Sequence, residues 1–226
     1  MVSIAESLSG IRERVTLACR KVGRGPEGVL LLAVSKTFPA CCVQEAFDSG
    51  QVHFGESRQQ EAAVKVEQLP REICWHFIGQ LQRNKVRKVL ADFDWLHSVD
   101  SLKLANHIDR IAGEEGKRPK VFLEVNLAGE ENKGGFQVDE LRRDLAALSS
   151  LSHLSIQGIM VIPPAVDDAE ESRPWFVKAR ELQKELREES GLELPQLSMG
   201  MSGDFEVAIE EGSTVVRVGS AIFGGR

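Results

Sequence analysis

The chain has 226 residues and contains no tyrosine, so no phenol is available as an acid or base. It also lacks an excess of basic residues, because its formal net charge is -6, and this argues against a broad nucleic-acid-binding surface. No apolar run approaches the length of a membrane span, and no charged-then-apolar leader opens the chain. We therefore expect a cytoplasmic protein that binds neither membranes nor nucleic acids.

Cysteines are few, and their spacing matches no common site. The four are Cys19, Cys41, Cys42 and Cys74. None belongs to a C-x-x-C pair, and adjacent cysteines suit neither zinc nor an ordinary disulfide. We expect all four to be reduced thiols.

Strand and helix patterns alternate along the whole chain. Eight segments are predicted as strands: Val29–Ser35, Val52–Gly55, Cys74–Gly79, Trp95–Val99, Val121–Asn126, Ser155–Ile162, Gln196–Met199 and Thr214–Val218. An additional helix precedes them, and Ser3 and Glu6 form a capping box at its start. This order predicts an α/β fold, a single (β/α)8 TIM barrel over residues 1–226. A doubly wound sheet is the alternative, but the glycine fingerprints of nucleotide-binding sheets are missing.

Polar residues stand where the predicted strands end, which is where barrels carry their chemistry. Lys36 follows the first strand, and burial in a barrel mouth would leave its amine nucleophilic. Arg217 should face the opposite way from Val216 and Val218. A charge directed into a barrel needs a partner, either an ion pair with Glu124 or Glu206, or a cofactor ring nitrogen.

Small residues follow the last two strands. Ser202 comes after the seventh strand, and Gly219 and Ser220 come after the eighth. Barrel phosphate sites are often built from these two loops, although Ser202 could simply cap the helix that follows it. An amine, a guanidinium and a phosphate cradle are what pyridoxal 5'-phosphate (PLP) requires of a protein. A lysine on the surface just past a strand is the simpler interpretation of Lys36 alone, but the polar residues at the other strand ends argue against it.

Three histidines lie on three consecutive predicted strands: His53, His76 and His97. A histidine cluster can bind zinc, but no H-x-H or H-E-x-x-H spacing is present. We therefore expect core or rim histidines and no metal site.

Five separated motifs resemble those of the YggS/PROSC family of PLP homeostasis proteins. They are Ala33–Thr37, Phe54–Ser57, His76–Gln82, Ser198–Ser202 and Val216–Ser220. The resemblance runs in order over nearly the whole chain. It implies a barrel similar to the N-terminal domain of alanine racemase, without that enzyme's second domain.

The resemblance also implies a set of cofactor contacts. PLP would be held on Lys36 as a Schiff base, and Arg217 would face the pyridine nitrogen. The other implied contacts are Ser202, Gly219 and Ser220 for the phosphate, Met160 and Met199 for the ring pocket, Ser57 where the family usually has asparagine, and Lys133 as a possible second contact.

Three functions remain open from the sequence. The first is a PLP-binding regulator, not an enzyme, that buffers, carries or delivers PLP to apo-enzymes, and we expect it to be a monomer. The second is an amino-acid racemase or another PLP enzyme of low activity. Racemisation of the alanine-racemase type needs a tyrosine from a second domain, and this chain has neither. The third is a Schiff-base aldolase that uses Lys36 on a sugar phosphate.

Overall fold

The computed structural model describes residues 3–130 and 132–225, and over these residues it contains eight strands and nine α-helices. The strands are β1 Leu30–Val34, β2 His53–Glu56, β3 Cys74–Phe77, β4 Trp95–Val99, β5 Lys120–Val125, β6 Ser155–Val161, β7 Gln196–Met201 and β8 Val215–Val218. The helices are α1 Ile4–Lys21, α2 Ala40–Asp48, α3 Gln59–Gln68, α4 Val86–Asp92, α5 Leu102–Glu114, α6 Val138–Ser149, α7 Arg173–Ser190, α8 Phe205–Glu210 and α9 Ser220–Phe223.

The strands form a closed parallel barrel in chain order, with β8 pairing back to β1. This confirms the predicted (β/α)8 architecture, and the doubly wound alternative is wrong. The predicted strand ends lie within two residues of those observed. The prediction of one domain over residues 1–226 includes four positions outside the described residues.

Helix α1 is the predicted additional helix, and it packs against α8, α9 and α2. The Ser3 side chain accepts from the Glu6 N–H while the Glu6 side chain caps the Ser3 backbone, as the capping box predicts. Arg14 and Lys21 form ion pairs with Glu206 and Glu210 of α8. Glu206 therefore lies outside the barrel, and the suggested pairing of Glu206 with Arg217 is wrong.

The barrel interior holds an apolar cluster and, beside it, a row of polar side chains. The apolar residues are Leu32, Trp95, Phe122, Met160 and Val215. The polar ones, all buried, are His76, His97, Ser198 and Arg217. A polar interior is costly unless each group finds a partner, so the hydrogen bonds of this row decide what the barrel can do.

A bulge near the end of β7 directs one methionine toward the mouth. Ser198 pairs with Val215 and Met201 with Arg217, so three steps along β7 match two along β8. Gly200 lies at the bulge with φ 93°, and a Cβ there would approach the Ala208 Cβ to 2.5 Å. Only glycine fits this backbone conformation without displacement.

None of the helices in the described residues is both long and apolar enough to cross a membrane.

Candidate cofactor site

A cavity of about 460 Å³ opens at the carboxyl end of the barrel. This volume lies within the range of ordinary small-molecule sites. Its lining residues come mainly from the strand ends and the loops after them: Val34, Lys36, Phe38, Ile78, His97, Met160, Ile162, Met201, Ser202, Gly203, Arg217, Gly219, Ser220 and Gly224. Six of the eight predicted cofactor residues therefore meet here, namely Lys36, Met160, Ser202, Arg217, Gly219 and Ser220.

Lys36 is held by a strained turn at the end of β1. It is half-buried, and the next residue, Thr37, has φ 72°, which is rare for a β-branched side chain. The Thr37 N–H donates a hydrogen bond to the Glu61 carboxylate on α3. The surrounding structure therefore imposes this conformation, as is common where a backbone positions a functional side chain.

A buried ionic cluster lies directly beneath Lys36. Lys65 of α3 donates to Glu56 Oε1 at 2.6 Å and to the Ser35 carbonyl at 2.9 Å. The Ser35 hydroxyl donates to the same Glu56 oxygen at 2.6 Å. Burial raises the pKa of Glu56, while the bonds from Lys65 and Ser35 lower it. This cluster fixes the residue before Lys36, so it ties the end of β1 to β2 and α3.

Arg217 crosses the barrel interior and is 6% exposed. Its guanidinium donates to Ser198 Oγ at 2.7 Å and to the Val161 carbonyl at 3.0 Å. Burial lowers the pKa of Arg217 to about 10, while the charges of Asp204 and Glu124 raise it. The group therefore remains a cation at neutral pH. Among the described residues, no ion pair joins it to Glu124, the other partner suggested by the sequence.

Glu124 still influences this end of the barrel. Burial and, to a lesser extent, the Asp100 charge raise the pKa of Glu124 to about 7, and Arg217 opposes that shift. The carboxyl therefore titrates near neutral pH and contributes only part of a negative charge close to the arginine.

A chain of hydrogen bonds continues from Arg217 to the opposite end of the barrel. Ser198 Oγ lies 3.3 Å from His97 Nδ1, and His97 Nε2 lies 3.0 Å from His76 Nδ1. His76 Nε2 then lies 3.0 Å from His53 Nδ1. Burial lowers the pKa values of His76 and His97 well below the usual range, so both rings are neutral. Because arginine can only donate, Ser198 Oγ accepts from Arg217 and can donate its own proton to His97 Nδ1. His97 and His76 can then each accept at Nδ1 and donate from Nε2 to the next ring.

The loops after β7 and β8 meet through one hydroxyl. Ser202 Oγ accepts from the Gly219 N–H at 3.1 Å and from the Ala221 N–H at 3.5 Å. A Cβ on Gly219 would lie 3.1 Å from the Val34 carbonyl oxygen, so a side chain there would require a small shift of the neighbouring strand. Ser202, Gly219 and Ser220 all line the cavity, and two hydroxyls beside a glycine turn are an arrangement suited to an anion.

Two of the eight predicted residues are not brought to this cavity. Met199 lies on the outer face of β7 and is fully buried against the helices, because its neighbour Ser198 faces inward. Met201 takes the place expected of Met199. Ser57 lines a separate cleft beside α3 and α4, and its backbone packs where a Cβ on Gly79 would lie.

Lys133 lies beside the cavity rather than in it. Its ammonium donates to the Pro163 carbonyl at 3.2 Å and forms an ion pair with Glu130. It lines an adjoining cleft that shares Ile162, Met201 and Gly203 with the main cavity.

Sequence reasoning missed Phe38, Ile78, His97 and Met201 as lining residues. His97 was recognisable, since it alternates inward on β4 with Trp95. Met201 was not, because the bulge at Gly200 changes the alternation within β7.

Replacing Ser198 with alanine tests the polar row. It leaves one Arg217 N–H and His97 Nδ1 without their partner in a buried site. We expect the free energy of unfolding, measured by urea titration, to fall by about 1–3 kcal/mol. Ser9→Ala, on the exposed face of α1, is the control. A Ser198→Ala chain as stable as this control would show that the row contributes nothing.

The comparisons place the chain in a family. The family model "Alanine racemase, N-terminal domain" matches residues 7–226. The chain is 42% identical over 226 residues to the "Pyridoxal phosphate homeostasis protein" of Aquifex aeolicus, covering 100% of this chain and 99% of that protein. The protein of the same name from Escherichia coli K12 is 39% identical over 236 residues, covering 100% and 98%.

Solved structures agree with these relatives. PipY of Synechococcus elongatus PCC7942 with PLP bound has 43% identity and a TM-score of 0.88, over 98% of this chain and 100% of that one. An alanine racemase of Clostridium difficile 630 in complex with cycloserine has a TM-score of 0.75 at 14% identity, covering 95% of this chain and 59% of that one, and shows the shared fold alone. The chain belongs to the pyridoxal phosphate homeostasis protein family, built on the barrel of the alanine racemase N-terminal domain.

Proposed function

We propose that this protein binds PLP in the cavity at the barrel mouth and serves PLP homeostasis by buffering, carrying or delivering the cofactor in the cytoplasm. The observation that carries the proposal is the meeting of the Lys36 amine, the buried Arg217 and the Ser202 hydroxyl around one cavity. PipY, at 43% identity, has been solved with PLP bound, which supports the same ligand here.

The residues fit the chemical parts of this ligand. Bound PLP supplies an aldehyde that a lysine amine can capture and a ring that absorbs near-visible light. Lys36 would hold the aldehyde carbon, and the loops at Ser202, Gly219 and Ser220 would hold the phosphate. Of the two methionines predicted to contact the ring, Met160 lines the cavity.

Arg217 would face the pyridine nitrogen as a hydrogen-bond donor. It stays protonated at neutral pH even with its pKa lowered to about 10. A guanidinium donates a hydrogen bond but does not transfer its proton to a base as weak as a pyridine, so the ring nitrogen would remain unprotonated. This weakens the ring as an electron sink and favours storage over carbanion chemistry.

The cavity also offers little for a two-base reaction. Among its described lining residues, the titratable side chains are Lys36, His97 and Arg217. Both nitrogens of His97 are occupied, one by Ser198 and one by His76, and burial keeps the ring neutral. A racemase needs a second acid or base opposite the lysine, and this lining provides none that is free. We therefore propose a carrier rather than an enzyme. We also propose that the carrier acts as a monomer.

A transfer experiment tests this function. PLP-loaded protein is mixed with an apo form of a PLP-dependent enzyme, with and without an excess of a scavenger that captures free PLP. We expect the enzyme to regain activity in both cases, because delivery does not pass through free solution. Recovery abolished by the scavenger would exclude delivery and leave buffering.

The racemase alternative is tested with the same preparation. We expect no turnover of D- or L-alanine beyond that of free PLP. Robust racemisation that disappears in Lys36→Ala would make the protein an enzyme.

A further inference from the structure

A second cluster of reactive side chains lies at the amino end of the barrel, opposite the cofactor cavity. His53 begins β2, and Cys74 and His76 lie on the neighbouring strand β3, with His53 and Cys74 as direct cross-strand partners. His53 Nδ1, Cys74 Sγ and His76 Nε2 all lie within 4.8 Å of one another. Sequence spacing did not reveal this cluster, because strand pairing creates it.

We propose that His53, Cys74 and His76 bind a zinc-like divalent cation, with water completing the coordination. Histidine nitrogens and cysteine thiolates are both zinc ligands, and a site with three protein ligands leaves the fourth position open. The three proposed ligands lie outside the lining of the cofactor cavity, so the proposal does not rest on the function proposed above; among the described residues, the two sites are joined only through His97.

The observed distances suit a tetrahedral ion. Around zinc, two ligating nitrogens would be about 3.3 Å apart, and a nitrogen and a sulfur about 3.6 Å apart, given bonds of about 2.05 and 2.3 Å. Here His53 Nδ1 lies 3.0 Å from His76 Nε2, and Cys74 Sγ lies 3.7 Å from His76 Nε2. These two distances lie within a few tenths of an ångström of those values, and the third, between His53 Nδ1 and Cys74 Sγ, is at most 4.8 Å, so an ion would have to draw that pair closer.

The outer contacts are those that a zinc-binding histidine requires. Such a ring donates its second N–H to an acceptor, which fixes the tautomer. His76 Nδ1 lies 3.0 Å from His97 Nε2, and His97 Nδ1 lies 3.3 Å from Ser198 Oγ. When the ion occupies His76 Nε2, His76 donates to His97, and His97 donates to Ser198. Each ring keeps one proton, and the direction of the chain reverses.

The charges nearby are mixed. The Asp94 carboxylate lies 3.9 Å from Cys74 Sγ and favours a cation. The Lys120 ammonium, whose Nζ lies 4.8 Å from the centroid of the Trp95 ring, disfavours binding of a cation here. Lys120 is exposed, however, so its charge is well screened. Without an ion, burial and Asp94 raise the pKa of the Cys74 thiol to about 11, so binding must release that proton.

The ion can reach the cluster from solvent. His53 and Cys74 are half-buried, and each lines a separate cleft at this end of the barrel. His76 is buried behind them and would form the inner wall of the site.

The test is a zinc titration of the full-length, untagged protein against a chromophoric chelator, with PLP loaded. We expect one high-affinity Zn²⁺ per chain, and at least roughly tenfold weaker binding in Cys74→Ser and in His53→Gln. Cys42→Ser is the matched control, because that thiol is also half-buried but lies outside the cluster. Its affinity should equal that of the original chain.

Cobalt provides a second readout that separates ligation from misfolding. Co²⁺ should give a thiolate charge-transfer band in difference spectra of the original chain and of Cys42→Ser, but not of Cys74→Ser. Circular dichroism confirms that each variant is folded. A chain that binds no Zn²⁺ would overturn the proposal, and so would a Cys74→Ser variant that retains both zinc affinity and the cobalt band.

Discussion

Replacing Lys36 with alanine should abolish the Schiff-base absorption band of the PLP-loaded protein and weaken its retention of PLP at least roughly a hundredfold, or about 2.7 kcal/mol. Among the described residues that line the cavity, Lys36 is the one that carries an amine. The phosphate loops at Ser202, Gly219 and Ser220 would still bind PLP weakly, because they do not depend on the lysine. Absorption spectra and equilibrium dialysis measure the two effects separately.

Two further variants sharpen this experiment. Lys36→Arg retains the charge but cannot form the bond, so it should lose the band as completely as alanine does. Lys88→Ala removes an exposed lysine of α4 and should behave like the original chain. An unchanged band in Lys36→Ala would mean that another amine holds the cofactor. Lys133 would then be the first candidate, since its cleft adjoins the cavity.

Replacing Lys65 with methionine should lower the free energy of unfolding by about 3–5 kcal/mol. The Lys65 side chain is 7% exposed, and its partner Glu56 is fully buried. Removing the ammonium leaves the carboxylate with the Ser35 hydroxyl as its described donor, because Glu56 Oε2 has no hydrogen-bond partner. Urea unfolding followed by circular dichroism measures the loss.

The loss should depend on pH in one direction. Burial already raises the pKa of Glu56, and removing Lys65 removes an interaction that lowers it. The folded variant therefore favours the protonated carboxyl more than the unfolded chain does. The deficit should be smallest below about pH 4.3, where the unfolded carboxyl is also protonated, and grow as the pH rises.

Removing both charges separates an ion-pair effect from a packing effect. Lys65→Met combined with Glu56→Gln should recover most of the stability, since no unpaired charge remains. Lys88→Met, at an exposed site, should change stability by less than about 0.5 kcal/mol. A Lys65→Met chain as stable as Lys88→Met would show that the cluster beneath Lys36 is not structural.

The barrel could be predicted from the sequence because its signals are local. Each strand is a short apolar run, and each is followed by a helical pattern, so order and closure follow from the alternation. The inward direction of Arg217 followed from the same alternation, and the structure places it there. Lys36 and the loops after β7 and β8 were predictable as a group because barrel chemistry gathers at one end.

The rest depended on geometry that one sequence does not contain. The bulge at Gly200 directs Met201, rather than Met199, to the cavity. The burial of Lys65 arises because it shares a helix face with Ala62, which is fully buried. The three-residue spacing of Ala62 and Lys65 could be seen in the sequence. A lysine between two valines is nevertheless usually predicted to lie on the surface. The His53–Cys74–His76 cluster exists only once β2 and β3 pair.

The central claim is that the ε-amine of Lys36 holds PLP in this cavity. Reduction of the PLP-loaded protein with borohydride, followed by peptide mass spectrometry, tests it most directly. We predict a phosphopyridoxyl adduct on the peptide containing Lys36 and on no other lysine. An adduct confined to another lysine, or none at all, would contradict the account.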